Sequence, residues 1–421
     1  MGNVMLTALT APGGLWVKII NWIQSSVGSF AWTIILFTLL IKGVLSILDF
    51  FIKWSTKKST LVQQKCAPQL EKLQKKYKND QQAFQMQQQA LYKKEGFNIW
   101  SSCLVMLANL VVTLLVFLSI FTSLKEVSAY QAIKQYQTLD AAYTTAYTTY
   151  YDANHDHLFD EEATRLFTEN GLTYDASKNY TAESATQTEI DLISAAEKNV
   201  KEMVKNSNEV KAAVKKAWND CKESWLWITN IWVKDGHANA LPTYKGLKDM
   251  ANGAGGLFSS GVKNNYVNTV KDINEAHYND VTQVVHTQEN GWNGYYILAV
   301  LAAVVTYLSS LVAELGNKLK REKAPKKPKQ NQFIKSSEPE TQTSPTAQMA
   351  GSMKWMKFLL PVMMVIFVIT SSAAFGIYVV TQSIVSIGLG ALINVIVNKL
   401  TAKKQLEVAE YLAKIESKKK K

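Results

Sequence analysis

Apolar side chains are gathered into long runs along this chain instead of recurring at a helix or strand period. Five runs stand out: Phe30–Ile52, Trp100–Leu124, Tyr295–Leu315, Trp355–Thr370 and Ala373–Val397. A helix of about 20 apolar residues crosses the roughly 30 Å hydrocarbon core of a bilayer. The pattern predicts transmembrane helices over 30–54, 99–124, 292–315, 354–371 and 372–398. Only Ser371 and Ser372 separate the last two runs, which reads as a tight helical hairpin, with a single buried or re-entrant helix as the alternative.

The polar segments between the runs differ in character. Residues 1–29 contain Leu15, Ile19, Ile20, Ile23 and Val27 at helical spacing beside Trp16 and Trp22, which predicts an amphipathic helix along the outer membrane interface, with an apolar lead-in to the first span as the alternative. No basic region followed by an apolar core and a small-residue cleavage site precedes Phe30, so the segment does not read as a signal peptide. Residues 55–98 are rich in Lys and Gln and break at Asn79-Asp80, predicting a helical hairpin in which Leu70, Leu73 and Tyr77 face Phe84 and Leu91. Its apolar stripes are thin, so it should be mobile and basic, presenting Lys57, Lys58, Lys65, Lys72, Lys75, Lys76, Lys78, Lys93 and Lys94 around Phe84. Residues 125–291 contain an Ala/Lys/Glu-rich stretch, 188–225, and predict a mostly helical domain; "WLWITNIWVKD", Trp225–Asp235 with the preceding Ser224 outside it, places tryptophans at its interface with the membrane. Residues 316–353, rich in Pro, Ser and Lys, predict a disordered loop, and 399–421 a helix ending in a lysine run.

Charge orients these segments. The net charge is +12, yet Lys125–Glu289 contains 16 basic and 23 acidic residues. Lys53–Glu95, by contrast, has ten Lys and three acids, Glu314–Lys354 nine basic residues and four acids, and Lys399–Lys421 eight Lys and three acids. Short basic loops stay in the cytoplasm, which predicts the N-terminus outside, 125–291 extracytoplasmic and the C-terminus inside.

Signals for chemistry are few. Cys66 and Cys103 fall on the predicted cytoplasmic side and Cys221 alone outside, so no disulfide framework or metal cluster is expected. His155 and His157 lack the helical i, i+4 spacing of a paired metal site and read as solvated. The Gly-rich stretch Asn252–Gly261 lacks the Lys-Ser/Thr of a phosphate loop and reads as a flexible loop. Neither H-E-x-x-H nor G-x-S-x-G occurs, and the sequence predicts a non-enzyme without metal or cofactor.

The exception is Lys42, near the middle of the first run. A lysine at the centre of a membrane helix costs about 2.5–3.5 kcal/mol on insertion scales, so it needs a compensating environment. Pairing with Asp49, two turns away, is the local explanation; a water-filled cavity is the functional one. Thr38, Ser46, Asn109, Thr113, Thr306, Thr381 and Gln382 add hydroxyls or amides within the runs. Ser and Thr in apolar helices commonly bond their own i−4 carbonyl, which is the structural reading of those positions.

The order of these features resembles the YidC-type membrane protein insertases, relatives of the mitochondrial and chloroplast insertases. A span with a central basic residue leads into a basic hairpin containing "APQLEKLQKKYKND" and "LYKKEGFN", followed by a span containing "SSCLVMLANL". "YYILAVLAAVVTYLSS", "MKFLLPVMM" and "FGIYVVTQSIVSIG" continue the similarity through the remaining spans. The resemblance implies five spans around a hydrophilic groove open to cytoplasm and lipid but closed outside, in a bacterial plasma membrane. It places Lys42 at the family's groove arginine and Asn109 where Gln is usual, with Thr38, Ser46, Thr113, Thr306, Thr381 and Gln382 as further groove candidates. It also implies lateral release of hydrophobic nascent chains into the bilayer while short polar segments cross. Nascent membrane proteins are the implied partners; the ribosome, the Sec translocon, the signal recognition machinery and anionic lipids are further candidates. Lys for Arg loses the planar guanidinium fork. Ile47, Ile99, Val105 and Ala299 stand where Pro is common, and Val379 where Trp is, which implies straighter helices and a differently shaped groove. Two other readings share the sequence: a small-solute or anion transporter with Lys42 as its binding site, and a membrane assembly chaperone without insertion activity. A transporter would be expected to show paired repeats, and none is visible.

Overall fold

The computed structural model describes residues 9–96, 99–237, 239–253, 263–288, 292–322, 359 and 361–420. Its architecture is helical: α1 (Leu15–Val27), α2 (Phe30–Lys76), α3 (Gln81–Lys94), α4 (Ile99–Glu169), α5 (Gln187–Lys205), α6 (Asn208–Cys221), α7 (Tyr244–Gly253), α8 (Lys263–Lys271), α9 (Glu275–Gln288), α10 (Ile297–Glu322), α11 (Pro361–Thr370) and α12 (Ala373–Lys420). Among the described residues there is no β-strand beyond a single bridge between Trp225 and Ile228. The disordered loop expected over 316–353 and most of the Gly-rich loop fall largely outside the described residues.

Three helices, α2, α4 and α12, are long and apolar enough to cross a membrane, and α10 and α11 contribute shorter apolar stretches, Ile297–Ser309 and Pro361–Thr370. The chain is thus a multi-pass membrane protein. Where the sequence reading ends helices at the membrane edges, the structure runs them through. α2 continues for 47 residues, about 70 Å, and α4 for 71 residues, about 105 Å. The reason is local: no Gly or Pro occurs between Leu124 and Glu169 or after Gly390, and beyond Gly390 good helix formers such as Ala, Leu, Lys and Glu predominate. Pro68 lies inside α2 without ending it, while Ser371 and Ser372 do separate α11 from α12.

The described core divides into three clusters. The first joins α1, α2, the start of α4, α10, α11 and α12 around Phe37, Ile120, Trp232 and Phe375. α1 turns Val17, Ile20 and Ile23 toward it, and the Trp16 indole donates to Ser119 Oγ at 2.6 Å. Gly28, at φ +79°, ends α1 in the left-handed conformation that glycine adopts without a Cβ penalty.

The second cluster builds the inserted domain from the distal part of α4 with α5 to α9, around Tyr136, Trp218, Tyr266 and Tyr278. Its helices carry standard start signals: Thr186 and Glu189 form a reciprocal capping box at α5, and the Ser207 hydroxyl accepts from the Val210 amide at α6. Two histidine–carboxylate pairs tie its helices together, His155 Nε2 to Glu197 Oε2 at 2.9 Å and His277 Nε2 to Asp140 Oδ1 at 2.6 Å. The bond to Asp140 raises the His277 imidazole above its ordinary pKa, Asp280 adds to the effect, and burial and Lys205 oppose it. A raised folded-state pKa means that this contribution is complete below the unfolded value, about 6.5, and is lost as pH rises through the higher folded value. The inserted domain should therefore lose part of its stability between near-neutral and alkaline pH. Thermal melts of His277→Ala across that window should show a flatter pH dependence than wild type; an unchanged slope would remove His277 from the effect.

The third cluster is the hairpin. The expected pairing of Leu73 and Tyr77 with Phe84 is corrected by the structure, in which Val62, Cys66 and Leu70 pack on Leu91 and Tyr92. Lys65 Nζ lies 2.6 Å from Glu95 Oε2 and pins this register, so the two arms meet nearer the membrane end than the apolar spacing suggests. Asp80 begins α3 by accepting from the Ala83 amide at 2.9 Å. The extended α12 lies against the same arm: Gln69 Nε2 donates to Tyr411 Oη at 3.1 Å, and Lys65 Nζ sits 5.8 Å from the Tyr411 ring centre.

Candidate functional site

Lys42 is half-buried on α2, and no hydrogen bond or ion pair holds its ammonium among the described residues. Asp49 is the carboxylate whose charge acts on it, but the two do not approach within 4.0 Å. The structure therefore does not absorb the charge into a tight local pair.

The depth of Lys42 follows from how α2 and α12 lie together. Lys53 Nζ donates to the Gly390 carbonyl at 3.3 Å, and Gln69 meets Tyr411 further along, so the two helices run in the same direction. Counting back along both at about 1.5 Å per residue sets Lys42 within roughly a helical turn of Thr381 and Gln382. Both are half-buried, and the Gln382 side-chain carbonyl oxygen is buried without a hydrogen-bond partner among the described residues. Thr306 of α10 approaches the same level, its Oγ1 lying 3.5 Å from Ser383 Oγ. The structure brings Thr306 of α10 beside the Thr381–Ser383 segment of α12. Ser383 joins them although the sequence reading passed over it; its spacing one residue beyond Gln382 was the available signal.

The other predicted residues are placed differently. Thr38 is fully buried and its hydroxyl donates to the Ile34 carbonyl at 2.6 Å. Ser46 donates to the Gly43 carbonyl at 2.7 Å. On α4, Asn109 is half-buried and Thr113 exposed. A cleft of about 750 Å³ between α4 and α6 lies instead in the inserted domain, floored by small residues such as Ala142, Ala146 and Ala217.

The hairpin presents its charge outward. Lys58, Lys72, Lys75, Lys76, Lys78, Lys93 and Lys94 are exposed, and Lys57, Lys65 and Phe84 half-buried. Lys58 Nζ rests 3.4 Å from the centre of the Trp54 ring, and Lys75 is 3.9 Å from Glu71. Burial raises the Cys66 thiol above its ordinary pKa, so it behaves as a small apolar residue in the hairpin core. No group of three or more metal-ligating side chains is found among the described residues.

A long-helix membrane bundle with a charged residue along its first span and a basic hairpin after it defines the class: a polytopic, all-helical membrane protein with a polar locus inside its apolar region. Comparison with known proteins makes the class specific. Residues 22–158 match the family described as 60Kd inner membrane protein. A Wolinella succinogenes protein named membrane protein insertase YidC is 32% identical over 92 residues, 22% of this chain and 16% of the relative. Proteins of the same name from Clostridium tetani and Ruthia magnifica are 39% identical over 79 residues and 37% over 111. Those matches cover 19% and 26% of this chain, and 34% and 19% of the respective relatives. No solved structure gives a significant match. About a third of the chain, residues 22–158, thus resembles the YidC-type family, and this region contains Lys42 and the hairpin.

Proposed function

We propose that this protein is a membrane protein insertase with five spans, its N-terminus outside and its C-terminus in the cytoplasm. A hydrophilic groove, open to the cytoplasm and to lipid, takes the polar segment of a hydrophobic nascent chain while the apolar segment leaves sideways into the bilayer. The observation that supports this reading is Lys42, half-buried on an apolar helix with no ion pair among the described residues. Asn109, Thr113 and Thr306 are further candidates for the groove wall, and Thr38 and Ser46 stiffen the helix that carries Lys42 through their backbone bonds.

The energetics need no nucleotide. A substrate helix of about 20 apolar residues gains several kcal/mol on leaving water. Each negative charge carried outward gains about 2.3 kcal/mol per 100 mV of inside-negative potential. The protein has only to shorten the dry path of the polar segment. The exposed hairpin lysines suit recruitment of acidic or partly unfolded clients, and together with the basic α12 extension they suit anionic lipid or ribosomal RNA. Cooperation with the Sec translocon or signal recognition machinery would supply clients to the same entrance.

The test uses the full chain in liposomes held inside-negative, with the hairpin face inside. A single-span substrate with an acidic N-terminal tail is synthesised within them, and exposure of the tail to external protease is scored. Tail export above empty liposomes is expected; export no greater than in empty liposomes would overturn the insertase reading for the protein acting alone.

A further inference from the structure

The first turn of a helix leaves backbone N–H groups without intrahelical acceptors. At α2, α10 and α12 those groups converge on one strap, residues 223–235. The Glu223 carboxylate faces the Phe30 amide at the start of α2. The Ala373 and Ala374 amides at the start of α12 donate to the Val233 and Ile231 carbonyls at 2.7 and 2.8 Å. Asp235 serves α10 with both oxygens, Oδ1 accepting from the Tyr295 amide at 3.0 Å and Oδ2 from the Leu298 amide at 2.7 Å. The acceptors for α10 and α12 thus come from residues about 60 and 140 positions away in sequence, so they bind separate spans together as well as capping them.

The strap is held from above and sealed from below. Asn293 accepts from the Asn230 amide at 2.7 Å and donates to the Asn230 and Lys234 carbonyls at 2.8 and 2.9 Å. The Asn230 side chain then donates to Gln135 Oε1 of α4 at 2.8 Å, linking the strap to the inserted domain. Beneath, Ile231, Trp232 and Phe375 are buried, and the Phe30 and Trp232 rings meet edge to face at 4.8 Å. The fit is close at Gly294, where an added Cβ would stand 2.1 Å from Asp235 Oδ1.

We propose that strap 223–235 is the outer seal of the groove and that Asp235 is the positioning residue that latches it, gathering α10 and α12 at their outer ends. The proposal rests on the groove reading above. It makes the strap the last barrier that a translocated polar segment passes.

The experiment uses the full chain with Cys66, Cys103 and Cys221 replaced by serine and Gln382→Cys as reporter, in sealed vesicles. A charged, membrane-impermeant thiol reagent is supplied either inside or outside, with folding checked by thermal melting and size. With the latch intact, the reporter should label from the hairpin side and stay protected from the other. Asp235→Ala and, independently, Gly294→Ala should raise outside labelling by about tenfold, the order expected when charge-assisted hydrogen bonds are lost. If both variants fold and outside labelling does not rise, the seal proposal is overturned. If either alanine variant fails to fold, Asp235→Asn decides, since it keeps one side-chain oxygen and the carboxylate's shape: increased outside labelling supports the latch and none overturns it. Absence of labelling from the hairpin side with the latch intact would instead overturn the groove reading.

Discussion

Lys42→Ala should reduce export of an acidic tail about tenfold in the liposome assay, while Lys42→Arg should retain most of it. The magnitude comes from one charge pair in a partly hydrated site: at about 6 Å and an effective dielectric near 40, the attraction is about 1.4 kcal/mol, or roughly tenfold. A drier site would enlarge the effect and a fully wet one would shrink it. Arginine keeps the charge, and its more weakly hydrated guanidinium suits a half-buried site. Two controls sharpen the result. A neutral tail should lose little export in Lys42→Ala, because the missing term is Coulombic. Raising salt should reduce the wild-type advantage for the acidic tail where the site is reached by ions. Equal export of the acidic tail by wild type and Lys42→Ala would remove the lysine from the mechanism while leaving the insertase reading in place.

Trp218→Ala should destabilise the inserted domain by about 3–5 kcal/mol, the usual cost of truncating a large buried aromatic side chain. Trp218 is fully buried in the cluster that joins α4, α5, α6 and α9. The span bundle has its own core around Phe37, Trp232 and Phe375, so the loss should be regional. Hydrogen exchange should show amides of α5, α6 and α9 losing protection while the membrane portions of α2 and α12 keep theirs. Equal loss in both regions would show that α4, which runs through both cores, couples them into one cooperative unit. The outcome also bears on the strap, because Asn230 reaches Gln135 on the shared helix.

Much of the membrane region was legible because its signal is local and repeated. Twenty or so consecutive apolar residues cannot remain in water; three of the five runs lie in helices long and apolar enough to cross a membrane, and the other two contain shorter apolar helices. The serine pair between α11 and α12, the break at Asn79-Asp80 and the helical character of the insertion were legible for the same reason. Lys42 stood out because a charge in an apolar run has no cheap local explanation. The ends of the helices were read less well. Charge patterns mark membrane edges, but only breakers or caps end a helix, and beyond Leu124 and Gly390 neither occurs before the helix is complete.

The sequence by itself determined the apolar helices, the basic hairpin and the isolated lysine, since each is fixed by residues within a few turns of one another. Tertiary structure decided what those helices share. It set Thr306 of α10 against Ser383 of α12 and joined α2 to α12 at Lys53 and Gly390. It brought Leu91 and Tyr92, rather than Phe84, onto the first hairpin arm. It also turned Asp235 into the cap of a helix that begins at Ile297, a partnership across about 60 residues that no local spacing announces. The physical reason is the same in each case: periodicity and capping act within a few turns, whereas register and acceptor exchange between helices are fixed only when separate segments of the chain compete for the same space and the same hydrogen bonds.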